Sequence, residues 1–163
     1  MSGPARSPRR LSLGLAAAVV LADQLTKAWA SDHLAGRPAR PFIPGLLEFT
    51  HTTNTGAAFS LFSGSSTLLG LVSLAVAVGV TVWIWRQGRA PHSLARGLAL
   101  GLLLGGAIGN GIDRWRLGAV VDFLALMPVS FPVFNLADVA INLAVLCFVI
   151  DLFAPEPGDG RRR

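Results

Sequence analysis

Four apolar stretches recur along the chain, near residues 11–30, 67–85, 94–112 and 136–153, each closed by polar or proline-rich sequence. Each approaches the roughly 20 residues that an α-helix needs to cross a hydrocarbon core of roughly 30 Å. Only helices can serve as single spans of this kind, because in lipid every backbone polar group must find its partner within the segment. The pattern therefore predicts an all-α membrane protein with four transmembrane helices, residues 1–154 forming a single polytopic domain. Between the first two spans, Pro38, Pro41, Pro44 and Gly45 punctuate the chain, and Leu47-Glu48-Phe49-Thr50-His51-Thr52 has strand-like content with partial alternation. A small β cradle over about 38–62, lying on the extracytoplasmic membrane surface, is expected there. Residues 155–163 are polar and rich in Pro and Gly, the composition of a disordered cytoplasmic tail.

Within the third span Gly97, Gly101, Gly105 and Gly109 are each four residues apart, a stripe along one helical face that lets a neighbouring backbone approach closely. Asp113 extends the same face by one turn. The polar residues that interrupt the apolar runs are equally ordered. Asp23 lies about 18 Å beyond Leu11 along the first helix at 1.5 Å per residue. If the first and third spans run outward, Asp23, Asn110, Asp113, Asn135 and Asp138 all come to one depth, near the outer interface. Asp122 is expected on the loop that follows the third span, facing Asp138.

Composition supports a lipid environment: 52% of residues are hydrophobic and only 14% charged, against roughly 25% charged in soluble domains. The net charge of +5 is almost wholly arginine. Those arginines sit beside apolar runs and at chain ends, which reads as topology rather than nucleic-acid binding. Nine basic residues fall on the side of the termini and the 86–96 link, and five on the other side. The positive-inside rule then places both termini in the cytoplasm. Arg9-Arg10, an apolar run and Ala28-Trp29-Ala30 imitate a secretory signal, but Asp23, Gln24 and Lys27 interrupt it, so the segment is expected to be retained. Cys147 is the single cysteine and no internal disulfide is possible.

Charges at a membrane boundary are costly unless paired, hydrated or used. Asp23 and Lys27, four apart with the acid first, suit a helical ion pair. They either neutralise each other at the membrane edge or take part in a site. Asn135 is placed to cap the fourth helix, with Asp138 in its first turn. His33, His51 and His92 are dispersed and no HExxH pattern occurs, so no metal is expected. A serine–lysine dyad would depend on Lys27, which lies next to Asp23 on its helix and is disfavoured as a base. Acids gathered at one depth favour local chemistry. A proton-coupled transporter would spread them along a path, and remains the alternative, with a non-catalytic assembly factor built on the glycine stripe as a third possibility.

Five motifs occur in order between the spans: Asp23-Gln24-Leu25-Thr26-Lys27, Asn54-Thr55-Gly56-Ala57-Ala58-Phe59, Gly109-Asn110-Gly111-Ile112-Asp113-Arg114, Gly118-Ala119-Val120-Val121-Asp122-Phe123 and Phe134-Asn135-Leu136-Ala137-Asp138. In these the chain resembles the bacterial lipoprotein signal peptidases (signal peptidase II), intramembrane aspartyl proteases of the inner membrane, from Leu11 to Phe153. The resemblance implies that Asp122 and Asp138 are the catalytic pair. It implies that Asp23, Lys27, Asn54, Gly56, Asn110, Asp113, Arg114, Asn135 and Ala137 support the site or contact substrate. The expected substrate is a diacylglyceryl-modified prolipoprotein, cut before its lipidated cysteine, with membrane lipid around it and globomycin-type compounds as inhibitors. No cofactor, metal or nucleic acid is implied, and a monomer is expected. The expected location is the bacterial inner membrane with the site near its outer face. Ala144 departs from the resemblance, standing where a glycine is expected.

Overall fold

Glycine spacing in one helix decides how the others pack. The computed structural model describes residues 8–56, 65–86 and 93–153, in which four helices and three strands are formed. The helices are α1 (Pro8–Leu34), α2 (Ser66–Arg86), α3 (Leu94–Leu117) and α4 (Leu136–Leu152), and the strands are β1 (Arg40–Ile43), β2 (Leu47–Asn54) and β3 (Val120–Leu126). Arg9–Leu34, Ser66–Arg86 and Leu94–Leu117 are each long and apolar enough to cross a membrane. The fourth helix has 17 residues, about 25 Å at 1.5 Å per residue. Of the cradle expected over 38–62, residues 57–62 lie outside the described residues, as does the tail at 155–163.

The central helix is α3, which packs against each of the other three. Its glycines meet α1 in a regular ladder. A Cβ on Gly101 would fall 2.7 Å from the Ser12 carbonyl, one on Gly105 2.6 Å from Val19 Cβ, and one on Gly109 2.6 Å from Asp23 Oδ2. The next rung is Asp113, which meets Lys27. Rising residue numbers on both helices mean that α1 and α3 run in the same direction. Gly106 faces α4, where a Cβ would meet Ile141 at 2.6 Å and the Ala137 carbonyl at 2.7 Å. Without a hydrophobic driving force between helices in lipid, such backbone approach supplies the packing contacts. Gly105→Ala is therefore expected to overpack the α1–α3 seam at a cost of about 1–3 kcal/mol. Thermal unfolding of the purified variant in detergent, compared with wild type, checks this. Gly79→Ala serves as the control, because nothing lies within 4 Å of a Cβ there.

Large apolar side chains that remain exposed, among them Leu68, Leu71 and Val78 on α2 and Val145, Leu146 and Val149 on α4, suit contact with lipid. The polar and charged interior lies instead along α3 and the ends of α1 and α4.

The sheet is antiparallel in the order β1-β2-β3. It is joined to α1 by a small second core of Ala30, Leu34 and Phe123, flanked by Trp29, Phe49 and Leu124. Trp29 meets Phe49 edge-on with ring centroids 5.1 Å apart. The third strand corrects the sequence-based expectation, since Asp122 lies on β3 rather than on a loop. Gly118 makes the turn into it. With φ of 70° it caps α3 in the left-handed region, its N–H bonding the Arg114 carbonyl at 3.2 Å, a conformation that glycine adopts without strain. The chain then enters β3, where Asp122 pairs with Thr52 and Val120 with Asn54. Beyond β3, Phe134 bonds Leu124 through both its N–H and its carbonyl at 2.9 Å, so the start of α4 is pinned beside the strand.

Candidate active site

Lys27 is the hub of a buried network. Its ammonium group carries three donors, and three acceptors surround it: Asp23 Oδ2 at 2.9 Å, Asp113 Oδ2 at 3.0 Å and Asn110 Oδ1 at 2.9 Å. Lys27, Asp23 and Asp113 are each no more than 3% exposed, so none of these charges is compensated by water. Each acid carries a second duty. Asp23 Oδ1 accepts the Ala137 N–H at 3.0 Å, tying the first turn of α4 to α1. Asp113 Oδ2 accepts the Val121 N–H at 3.1 Å, tying β3 to α3. Gln24, which is not among the site residues expected from the sequence, donates to Asp113 Oδ1 at 3.0 Å and to the Gly109 carbonyl at 3.2 Å. Its one sequence signal was an amide beside Asp23 inside an apolar run. Asp23 and Lys27 are paired, as the first of the two sequence readings expects, and through Asn110 the pair is connected to the remaining polar residues.

From this hub the network extends to two further carboxylates. Asn110 receives Lys27 on its Oδ1 and so presents its Nδ2 to Asp138 Oδ1 at 2.8 Å. Asn135, fully buried, caps α4 in a capping box: its Oδ1 accepts the Asp138 N–H at 3.0 Å and its own N–H donates to Asp138 Oδ2 at 3.1 Å. The Asn135 Nδ2 then donates to Asp122 Oδ1 at 2.7 Å and to Asn110 Oδ1 at 3.1 Å. One side chain thus holds both Asp122 and Asp138. On the other side Asn54 donates to Asp122 Oδ2 at 3.3 Å and accepts the Gly56 N–H at 3.0 Å. Arg114 reaches the Gly56 carbonyl through Nη2 at 3.2 Å, while its Nη1 is buried with no partner among the described residues. All nine supporting residues named from the sequence, Asp23, Lys27, Asn54, Gly56, Asn110, Asp113, Arg114, Asn135 and Ala137, join this network.

Asp122 and Asp138 line a cleft of about 600 Å³. Asn54, Asn110 and Arg114 line it with them, and the remaining wall is mostly apolar, including Phe131, Phe134, Val139, Leu143 and Leu146. Burial pushes the Asp122 carboxyl up to about 6, and the charge of Asp138 pushes the same way, against the opposing amides of Asn135 and Asn54. A carboxyl raised in this way binds its proton more tightly folded than unfolded. Its contribution to stability is therefore complete below the unfolded value near 4 and is lost as pH rises through about 6. Asp122→Asn removes the titration. The variant is expected to be more stable than wild type at pH 7.5, by on the order of 1–3 kcal/mol. At pH 4 that advantage should be gone. Thermal midpoints of both proteins across this range check the sign.

Residues 15–154 match the family model described as "Signal peptidase (SPase) II". The chain is 55% identical over 142 residues to a lipoprotein signal peptidase of Parasynechococcus marenigrum, covering 87% of this chain and 88% of the relative. It is 54% identical over 136 residues to one from a Synechococcus species, covering 83% and 89% respectively. A solved structure described as a bacterial membrane enzyme superposes with a TM-score of 0.79 at 30% identity, covering 87% of each chain. A second with the same description gives a TM-score of 0.76 at 31% identity, over 86% of this chain and 91% of that one. A match spanning nearly the whole described fold, carried by sequence and by structure alike, means that this chain belongs to the signal peptidase II family of lipoprotein signal peptidases.

Proposed function

We propose that the cleft is the catalytic site of an aspartic endopeptidase, with Asp122 and Asp138 as its reacting pair. The substrate is a diacylglyceryl-modified prolipoprotein, and the bond cut is the one before the lipidated cysteine. The observation that carries this reading is that one buried residue, Asn135, engages both carboxylates, Asp122 through its side-chain amide and Asp138 through its backbone N–H, in a cleft whose remaining wall is mostly apolar. Two acids so close cannot easily both ionise, so the pair holds one proton. We assign that proton to Asp122, whose carboxyl is pushed up by burial.

Asp138 then takes a proton from a bound water as the water oxygen attacks the scissile carbonyl carbon, and Asp122 donates its proton to the carbonyl oxygen. The resulting gem-diol collapses, the carbon–nitrogen bond breaks, and the leaving amine takes the proton from Asp138. Asp122 recovers its proton from the gem-diol hydroxyl, leaving the signal peptide's new carboxylic acid. The Nη1 of Arg114, without a partner among the described residues, is available to the oxygen on which charge develops. Asn110 and Asn135 hold the two carboxylates in place from the side of Lys27.

The four helices span the bacterial inner membrane, with both termini in the cytoplasm and the cleft near the outer face. Acyl chains of the substrate stay in lipid beside the apolar wall while the peptide reaches the acids. A proton-relay transporter is less favoured, because the acids of α1 and α3 are consumed in holding the fold together rather than strung along a path. The test is hydrolysis of a lipidated prolipoprotein by the purified protein in the presence of a chelator. Cleavage before the cysteine, insensitive to the chelator and blocked by globomycin, is expected. Release of no peptide, or activity that the chelator abolishes, overturns the mechanism.

A further inference from the structure

One polar group in the cleft is used neither by the Lys27 network nor by the carboxylate pair. Asn142 lines the cleft one turn along α4 from Asp138, among Val139, Leu143 and Leu146. It is exposed. Its Nδ2 donates to the Asp138 carbonyl at 2.9 Å, which fixes the amide so that Oδ1 is the free end. No hydrogen bond to that oxygen is made among the described residues. An amide oxygen accepts up to two hydrogen bonds, so Asn142 presents an unused acceptor to the cleft at a depth where its neighbours on α4 are apolar.

The substrate supplies the complementary need. A peptide bond inside a helix has its carbonyl engaged and both faces crowded, so the chain must be extended around the bond that is cut. Extension in an apolar surrounding strips backbone N–H groups of their partners, each at a substantial cost. Asn142 lies about 6 Å beyond Asp138 along the helix axis, the span of about two residues of extended chain. On the proposed membrane orientation that direction leads towards the signal-peptide side of the scissile bond.

We infer that Asn142 is a substrate-binding residue whose Oδ1 accepts a backbone N–H two to four residues before the scissile bond. The inference rests on the endopeptidase reading above and adds to it a contact that holds the signal peptide extended at the cleft. Because the contact is to backbone, it operates whatever side chains those residues carry. It forms on binding and persists through the reaction, so its loss appears mainly in KM.

The experiment uses the full-length protein and synthetic lipopeptides with a diacylglyceryl cysteine. In three of them an ester oxygen replaces the backbone N–H at the second, third or fourth residue before the cut. The all-amide parent is the reference, and each peptide is tested on wild type, Asn142→Leu and Asn142→Ala. With wild type, one of the three esters is expected to lower kcat/KM about 3- to 10-fold through KM, the effect of one neutral hydrogen bond. With either variant the same ester should be cleaved as fast as the parent. Comparing ester with parent on each protein cancels any change in folding or active fraction. If wild type cleaves every ester like the parent, or if the variants lose the same factor as wild type, the contact does not exist while the endopeptidase reading stands. If wild type fails to cleave the parent, the endopeptidase reading falls and this inference falls with it.

Discussion

Asp122→Asn and Asp138→Asn are each expected to lower turnover of a lipidated prolipoprotein by about 100- to 10,000-fold, the range for a positioned general acid or base. The two losses should not multiply in the double variant, because neither carboxylate completes the reaction without the other. Both substitutions keep side-chain shape. Neither removes a contact of Lys27, whose partners are Asp23, Asp113 and Asn110. Folding should therefore survive, and for Asp122→Asn it should improve near neutral pH, as argued from the raised Asp122. A variant that loses activity while gaining stability separates catalysis from structure. Near-wild-type turnover in either single variant, with the protein folded, would remove that residue from the pair.

The second large effect concerns stability. Lys27→Met is expected to destabilise the protein by about 3–5 kcal/mol, the cost of breaking a buried ion pair from one side. Methionine fills a similar volume but leaves Asp23 and Asp113 facing each other without a cation, in a region that is almost water-free. The ties that those acids make to Ala137 and Val121 are strained at the same time, so the seats of Asp138 and Asp122 loosen together. Adding Asp113→Asn removes one of the uncompensated charges. The double variant Lys27→Met/Asp113→Asn should recover part of the loss, and a double-mutant cycle on thermal stability in detergent measures it. If Lys27→Met alone matched wild type, the hub would carry no structural weight.

The sequence was most informative where a rule acts locally. Apolar runs of near 20 residues mark helices because lipid leaves the backbone no other way to satisfy itself. Four-residue glycine spacing marks the close face of α3, and the ladder from Gly101 to Asp113 keeps that period, while its partner α1 is set by the tertiary structure. Its length was less legible. The third apolar run ends near residue 112, whereas α3 continues to Leu117. Charge is a stop signal only when nothing neutralises it, and Asp113 is met by Lys27 from another helix. The local pattern puts Asp122 on a loop for a related reason. The segment Val120–Leu126 becomes a strand by pairing with Leu47–Asn54, some 70 residues earlier in the chain, and no local pattern encodes that partner.

What the sequence determined by itself is thus the set of apolar helices, the close face of α3 and the identity of the polar residues that needed explanation. These depend on periodicity and on the cost of placing charge in lipid, both properties of a segment and its solvent. Only the tertiary structure decided what the oxygens of each acid meet. Asp23 and Asp113 are spent on Lys27 and on backbone N–H groups, while among the described residues Asp122 and Asp138 accept hydrogen bonds from amides only and open onto the cleft. That division is physical: a carboxylate's role is set by what surrounds its oxygens, and those partners come from α1, α3, β2, β3 and α4 together.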